Sequence, residues 1–297
     1  MHTRETAAFC AAAMVVLALP VAAQQRDFSQ VQIQGEKVAG NVHVLVSGVA
    51  GNIGVSAGPD GILIVDDQFA PLADKIRASL AEIAPGDPAF VVNTHWHGDH
   101  TGGNEVFGPK AVIVAHHNVR KRLAAGSETP GRVAPPVTGA ALPELTYGDA
   151  ITIHFNGEEI RVIHLPPGHT DGDSYVHFVG SNVVHLGDDF FAGRFPFVDL
   201  DSGGSVTGLI ESIGRLIGEL PADVKIIPGH GPVATLDDLK GYHRMLVATT
   251  DIIRKAKGSG TSREELTEAG LGEEWKAWSW AFITEARWIE IVWNSLQ

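Results

Sequence analysis

Short apolar segments separated by glycine-containing turns make up the first half of the chain. The alternating segment 42–46 can pair with 51–57 across a turn at 47–50. Continuous apolar runs are typical of strands that are buried on both faces. Such runs occur at 61–65, 90–93 and 111–115.

The second half of the chain repeats this alternation. Further strands are predicted at 151–155, 159–164, 174–179, 182–186 and 224–227. Helices are predicted at 71–83, at 115–124, at 205–220 and in a long segment capped by Thr235, with a connecting loop at 126–143. Strands that alternate with helices in two halves predict a layered α/β domain.

The C-terminal part is rich in tryptophan. It carries five of the six tryptophans in the chain: Trp275, Trp278, Trp280, Trp288 and Trp293. We interpret them as an aromatic packing face of terminal helices, because large aromatic side chains contribute strongly to cores.

The first 23 residues have the pattern of a secretory signal. Arg4 precedes an apolar run at 7–19, Pro20 ends the run, and small residues follow up to Ala23. A run of 13 residues is too short for a membrane span, which needs about 20. We therefore expect cleavage after Ala23, a periplasmic or secreted protein, and no stable membrane association afterwards.

Cleavage at this point also removes Cys10, the only cysteine. The mature chain 24–297 is expected to be a single domain with a C-terminal helical extension, without disulfides or thiolate ligands.

Composition narrows the classes of partner. Of 297 residues, 44% are hydrophobic, which is enough for a sizeable core, and the formal net charge is −13. Nucleic acids and anionic lipids attract basic surfaces, so this charge argues against both. A small-molecule substrate is the expected partner, while the oligomeric state is left open.

Four potential metal ligands follow the strand that ends at Asn93. They are His95, His97, Asp99 and His100, and imidazole and carboxylate groups suit Zn²⁺. Alternate residues of an extended segment face the same way, so His95 and His97 can bind one ion together. The other two side chains can then turn toward a second ion.

Three later loops complete these two sets. His169 lies in a turn after the strand 159–164 and supplies a third imidazole for the first ion. His230 follows the strand 224–227 and joins Asp99 and His100 on the second ion. Asp188 is placed to bridge both ions, with Asp189 as the competing choice.

These motifs resemble those of the metallo-β-lactamase superfamily. His-Trp-His-Gly-Asp-His, Pro-Gly-His-Thr, Leu-Gly-Asp and Pro-Gly-His-Gly occur in the family's order over residues 40–235. The resemblance implies a four-layer αββα sandwich with two metals at one edge, between the central sheets. It also implies one site of His95, His97 and His169 and another of Asp99, His100 and His230, bridged by Asp188.

The resemblance extends to Asp66, which follows the strand 61–65. It matches a family acid that holds a ligand from behind and fixes its tautomer. The alternative is an aspartate that only caps a turn.

Two Zn²⁺ ions per chain imply a hydrolytic mechanism. Zinc lowers the pKa of bound water to about 7, and a metal-bound hydroxide then attacks a carbonyl group. Asp99 is the expected catalytic residue, which orients the nucleophile and shuttles its proton. This chemistry needs no serine or cysteine nucleophile.

The expected substrate is less narrowly defined. True β-lactamases of the family usually lack a bridging aspartate, so Asp188 resembles lactonases, thioesterases and phosphodiesterases more closely. Export points instead toward β-lactam ring opening, as a main or a side activity.

The rival function is that of an iron-dependent sulfur oxidoreductase. Such enzymes use a single iron ion, so the complete second ligand set argues against this function. A non-catalytic binding module predicts missing ligands, and none is missing.

Two segments are candidates for walls of the substrate site. Residues 48–51 are expected to form a small flap. Phe190, Phe191, Phe195 and Phe197 follow Asp188, and we expect at least two of them to be core rather than wall.

The remaining nine histidines are interpreted as structural or surface residues. They are His2, His43, His116, His117, His154, His164, His177, His185 and His243.

Overall fold

Two β-sheets form the centre of the molecule in this computed structural model, which describes residues 27–129 and 132–296. The first nine strands are β1 (Gln34–Ala39), β2 (Val42–Val46), β3 (Ile53–Gly58), β4 (Gly61–Val65), β5 (Phe90–Asn93), β6 (Val112–His116), β7 (Ser127–Thr129), β8 (Arg132–Ala134) and β9 (Leu145–Tyr147). Strands β7 and β8 form a separate hairpin, and the other seven form one sheet in the order β1-β2-β3-β4-β5-β6-β9.

The second sheet has five strands in sequential order. They are β10 (Ala150–Phe155), β11 (Glu158–His164), β12 (Ser174–Phe178), β13 (Val183–His185) and β14 (Lys225–Ile227). The described helices are α1 (Ala73–Ile83), α2 (Gly98–Thr101), α3 (Asn104–Phe107), α4 (His117–Ala125), α5 (Val206–Glu219), α6 (Leu236–Gly258), α7 (Arg263–Ala269) and α8 (Glu285–Ser295).

The two sheets share one apolar core. Side chains of the first sheet such as Val44 and Leu63 pack in one cluster with Val162 and Val176 of the second. Each fully buried aliphatic side chain of this kind contributes about 1.5–3 kcal/mol relative to exposure. Packing of the two sheets against each other is therefore a main source of stability.

Helices cover the outer faces. Leu209 and Ile213 of α5 and Tyr242 of α6 pack in one cluster with Val184 of the second sheet. On the first sheet, Ala115 of β6 packs against Val119 and Leu123 of α4. Helix, sheet, sheet and helix thus form the four layers that the sequence predicts.

The predicted strands and helices agree closely with the observed ones, apart from the edges. Strand β1 is largely exposed and β9 is only three residues long, so neither has the apolar pattern of a buried strand. The predicted loop 126–143 contains the hairpin β7–β8. These elements depend on pairing with a neighbour rather than on a local apolar pattern.

The chemistry-bearing loops all follow carboxyl ends of strands. Strand β5 ends at Asn93, β11 at His164, β13 at His185 and β14 at Ile227. Sites in sheets of this kind form beyond the carboxyl ends of strands, and the four motifs lie there.

The predicted signal, its cleavage after Ala23 and Cys10 lie outside the described residues. Within the described ranges, no helix combines the length and the apolar character needed to cross a bilayer.

Candidate metal centre

The first motif changes from extended chain to helix in its middle. His97 is extended and directly precedes the single turn of α2, which carries Asp99 and His100. His95 lies in the bend that follows β5 rather than on a regular extended segment, yet His95 and His97 belong to one group of potential ligands. The helical turn directs Asp99 and His100 toward a different group of residues.

The first group consists of His95, His97 and His169 together with Asp188, whose ligand atoms lie within 4.8 Å of one another. A hydrogen bond behind each ring fixes its orientation. The Nδ1 of His95 lies 3.0 Å from Thr94 Oγ1, and the Nδ1 of His169 lies 2.6 Å from the Phe197 carbonyl oxygen. The opposite nitrogen, Nε2, of both rings faces Asp188.

The third ring of this group is held by a carboxylate that sequence reasoning missed. The Nε2 of His97 lies 2.8 Å from Asp199 Oδ2, and its Nδ1 lies 2.9 Å from Nε2 of His169. Asp199 also accepts a hydrogen bond from the Ser202 hydroxyl at 2.8 Å. It stands in no recognisable motif, so only the folded chain reveals its partner.

The second group consists of Asp99, His100 and His230. The Nδ1 of His100 lies 2.7 Å from Asp66 Oδ2, so its Nε2 faces the group. Asp66 also accepts hydrogen bonds from the backbone N–H and the hydroxyl of Thr94, each at 2.8 Å. Asp66 thus fixes the turn after β5 and the His100 ring at once, which combines the two alternatives weighed for it.

Asp188 lies between the two groups. Its Oδ2 is 3.9 Å from Nε2 of His95 and 3.5 Å from Nε2 of His169. Its Oδ1 is 3.0 Å from Nε2 of His100 and 3.4 Å from Nε2 of His230. Each carboxylate oxygen therefore faces a different group.

Asp189 has another environment. Its Oδ1 accepts a hydrogen bond from the backbone N–H of His169 at 3.3 Å. Burial, together with the nearby Asp173, raises its pKa well above the usual range. Its contacts support the loop that carries His169 and do not place it between the two groups.

Two glycines allow the backbone to approach the centre. A Cβ atom on Gly51 would lie 2.1 Å from Cε1 of His100, and one on Gly229 would lie 2.0 Å from Oδ1 of Asp188. The flap segment 48–51 also donates a hydrogen bond from Gly51 N to the Asp99 carbonyl oxygen at 3.2 Å. Any side chain at either position would displace a candidate ligand.

Burial and charge set the protonation states here. Burial, reinforced by the neighbouring histidines, lowers the pKa of His95 well below its usual value, so the ring is neutral. Burial opposes ionisation of Asp188, but His100 and His230 outweigh it and hold its pKa well below the usual range. Burial likewise lowers the pKa of His230, yet Asp188 and Asp99 raise it to about 9 overall.

Buried polar atoms that lack a hydrogen-bond partner indicate whether the two groups of residues fit a metal ion. The Nε2 atoms of His95 and His100 and the Oδ1 atom of Asp188 are buried, and none makes a well-formed hydrogen bond within the described residues, although His100 Nε2 and Asp188 Oδ1 lie 3.0 Å apart. Each such atom costs about 1–3 kcal/mol if nothing compensates it. Inward-facing imidazole nitrogens and carboxylate oxygens in two adjacent groups are donors that zinc prefers, so the residues fit a metal.

At least two of the four phenylalanines that follow Asp188 are core residues, as expected. Phe190 and Phe195 are fully buried core residues. Phe191 stacks on the His230 ring with centroids 5.1 Å apart, and the Phe197 ring lies 6.0 Å from His97 and 5.9 Å from His169.

The other histidines of the described chain lie outside both groups. His185 is the nearest of them in sequence, and it is held structurally. Its Nε2 lies 3.0 Å from the Asn52 carbonyl oxygen, and its Nδ1 accepts a hydrogen bond from Gly187 N at 3.1 Å.

Known proteins resemble the chain in sequence. The 2,4-dinitroanisole O-demethylase subunit alpha from a Nocardioides species is 26% identical over 197 residues, which cover 66% of this chain and 56% of that protein. The hydroxyacylglutathione hydrolase of Gloeobacter violaceus is 33% identical over 159 residues, 52% of this chain and 53% of that protein. The chain thus spans little more than half the length of these curated relatives.

A solved structure and the sequence model of a protein family also match the chain. A metallo-beta-lactamase from Pontibacter korlensis matches with a TM-score of 0.61 at 18% identity, over 73% of this chain and 99% of that chain. This likeness confirms the predicted αββα fold. The sequence model of the metallo-beta-lactamase superfamily matches residues 48–230, more than half of the chain. The chain therefore belongs to the metallo-beta-lactamase superfamily, and its cluster of histidines and aspartates fits a metal site.

Proposed function

We propose that this chain is a zinc hydrolase that binds two ions and cleaves a carbonyl substrate. The observation that carries the proposal is the position of Asp188, with one oxygen toward each group of candidate ligands. A carboxylate that served a single ion would not need both groups around it. His95, His97 and His169 would hold one ion, Asp99, His100 and His230 the other, and Asp188 both.

When bound, zinc supplies a water of lowered pKa and an electrophile for the carbonyl oxygen. The protein's own contribution is to position ligands and to move a proton. Asp99 is the ligand open to the substrate side, because its side chain is 29% exposed whereas that of Asp188 is 5% exposed.

Asp99 is therefore our proposed catalytic residue. Burial raises its pKa, but His100 and His230 outweigh this effect and hold the pKa well below the usual range. The anionic carboxylate can orient the attacking water and take up its proton. As the bond from the carbonyl carbon to the leaving atom breaks, the same proton can pass to that atom.

Asp188 also bears on the substrate class. Among carbonyl substrates, a lactone or a thioester is favoured over a β-lactam as the natural substrate, with β-lactam opening as a side activity. A phosphodiester, which has no carbonyl group, is the alternative substrate. The similarity to a hydroxyacylglutathione hydrolase supports an acyl substrate. Action in the periplasm on a small molecule remains part of this proposal.

The test combines metal content with a substrate panel. We expect purified protein to hold two zinc ions per chain and to hydrolyse at least one of a lactone, a thioester, a β-lactam and a phosphodiester. Asp99→Ala should lower turnover by about 10²- to 10⁴-fold. The matched control is Asp237→Ala, which removes an exposed helix carboxylate and should leave turnover unchanged.

Two results would contradict the proposal. Iron without zinc in the purified protein would favour the oxidoreductase alternative. Unchanged turnover in Asp99→Ala, with a normal circular dichroism spectrum, would exclude the proposed role of this carboxylate.

A further inference from the structure

An aromatic surface adjoins the candidate metal centre, and Trp280 and Phe282 of this surface lie beyond the matched family region 48–230. Among the described residues, three large hydrophobic side chains are exposed: Val49 at 45%, Leu145 at 46% and Phe282 at 46%. Val49 belongs to the flap segment 48–51, and Phe282 belongs to the C-terminal segment. Exposed apolar side chains beside a site indicate ligand binding more often than isolated ones do.

The C-terminal segment reaches the centre through a chain of ring contacts. The Trp280 ring lies 6.3 Å from the His230 ring and 5.5 Å from the Phe282 ring. Phe282 in turn lies 5.6 Å from Phe197, which contacts the rings of His97 and His169. We call Phe197, Trp280 and Phe282 the aromatic wall; it adjoins both groups of candidate ligands.

Backbone contacts hold this wall in place. The indole N–H of Trp280 donates a hydrogen bond to the Phe195 carbonyl oxygen at 3.0 Å, and Phe195 N donates to the Trp278 carbonyl oxygen at 2.8 Å. The wall is therefore fixed to the segment that follows Asp188. A prearranged surface loses little entropy when a ligand binds to it.

Two arginines lie on the wall. The guanidinium carbon of Arg194 is 5.1 Å from the Trp280 ring centroid, and that of Arg287 is 4.3 Å from the Phe282 ring centroid. Among the described residues, neither has a carboxylate within 4.0 Å, although the chain has a net charge of −13. Stacking on a ring face leaves the edge of the Arg194 guanidinium group free for a bidentate contact with a carboxylate. Arg287 also donates a hydrogen bond from Nη1 to the Phe282 carbonyl oxygen at 2.9 Å, so only its other N–H groups can face a carboxylate.

We propose that the aromatic wall, together with Arg194 and Arg287, binds the part of the substrate that is not cleaved, and that this part is an aromatic group bearing a carboxylate. The inference rests on the proposed hydrolase function, since it concerns the substrate of the same centre. The rings contribute apolar contact area, and the two cations select a negative charge beside it.

A pair of probes that differ only in charge tests the inference. Calorimetric titration would compare 3-phenylpropanoate with its neutral amide, 3-phenylpropanamide, on the zinc-loaded protein and again after chelation of the metal. We expect the carboxylate to bind about tenfold more tightly, which corresponds to about 1.4 kcal/mol, because hydrogen bonds to charged groups are stronger than those between neutral groups. This preference should persist after chelation, because it depends on arginine.

Variants distinguish the contribution of the two arginines to binding from that of the aromatic rings. Arg194→Gln and Arg287→Gln should each reduce the preference for the carboxylate and leave binding of the amide unchanged. Phe282→Ala should weaken both probes. Arg287→Lys, which keeps the charge, should retain part of the preference even if the glutamine variant folds poorly. The control is Arg254→Gln, an exposed helix arginine paired with Asp251.

Equal binding of the two probes to the native protein would overturn the inference. So would a preference that both glutamine variants retain, or one that disappears with the metal. Because binding is measured without turnover, its failure is distinguishable from a failure of the hydrolase proposal. Selective binding without hydrolysis would contradict the hydrolase proposal alone.

Discussion

Two buried carboxylates stand behind two of the candidate ligands. Asp199 contacts Nε2 of His97, and Asp66 contacts Nδ1 of His100. In each case the hydrogen bond uses one ring nitrogen and turns the other toward the centre. A carboxylate in this position fixes the tautomer of a ligand and makes it more basic.

Replacing these carboxylates should affect the two groups separately. We expect Asp199→Asn to weaken metal binding at the group that contains His97, and Asp66→Asn at the group that contains His100. Each loss should be about 10- to 100-fold. Competition with a chromophoric chelator measures both binding steps.

The matched control is Asp237→Asn on the surface of α6, which should not alter either step. If Asp199→Asn and Asp66→Asn weakened the same step, the division into two groups would be wrong. Unchanged affinity in both variants would show that these carboxylates only support the loops.

At the scale of elements, a histidine stack joins the two sheets. His116 at the end of β6 stacks on His164 at the end of β11, with ring centroids 3.8 Å apart and planes at 3°. The His117 ring, at the start of α4, lies 4.2 Å from the His116 ring. Asn118 N donates a hydrogen bond to Nδ1 of His116 at 3.3 Å, so that ring is neutral.

This stack should make stability depend on pH. Burial, together with His164 and His117, lowers the pKa of His116 from 6.5 to about 4, against a smaller opposing effect of Asp171. The unfolded chain therefore binds a proton at a higher pH than the folded chain does. The free energy of unfolding should fall as the pH drops from about 6.5 to about 4, and this contribution should level off below that.

Urea unfolding across this pH range checks the prediction. In His116→Gln the fall should be less steep, because one titrating group is removed. The comparison at pH 8 measures the loss of packing separately, since the ring is neutral in both states there. Parallel pH profiles for the native protein and the variant would contradict the assignment.

Whether the sequence predicts a strand depends on what stabilises that strand. Strands β4, β5 and β6 are apolar runs buried on both faces, so the sequence pattern predicts them. Strand β1 pairs along its length with β2 but exposes most of its side chains, and no local pattern reports such pairing. The hairpin β7–β8 lies in a predicted loop for the same reason.

The candidate ligands were predictable because each lies in a short motif soon after a strand, whereas their supports were not. His95 to His100 form one continuous motif, but Asp199 is 102 positions from His97. The tryptophans were expected to form a packing face of terminal helices, and all five pack against the core, but only Trp288 and Trp293 lie on a terminal helix, α8. That Trp280 also contacts His230 depends on the fold of the segment before α8.

At the scale of the whole molecule, the centre links loops from both sheets. His95 and His100 follow a strand of the first sheet, whereas His169, Asp188 and His230 follow strands of the second. Its inward-facing atoms include buried nitrogens and a buried carboxylate oxygen without well-formed hydrogen bonds among the described residues. A bound metal would compensate these groups and join the sheets, so its removal should weaken the whole fold.

We therefore expect chelation to lower the melting temperature, and zinc to restore it. A ligand that binds only the native state adds about 2.7 kcal/mol at a free concentration 100 times its Kd. Magnesium, which prefers oxygen ligands, serves as the control and should not replace zinc. Asp188→Ala should reduce the response to zinc most, because its two oxygens face both groups. If the melting temperature of the native protein did not change with zinc, the proposal that these loops share a metal centre would be contradicted.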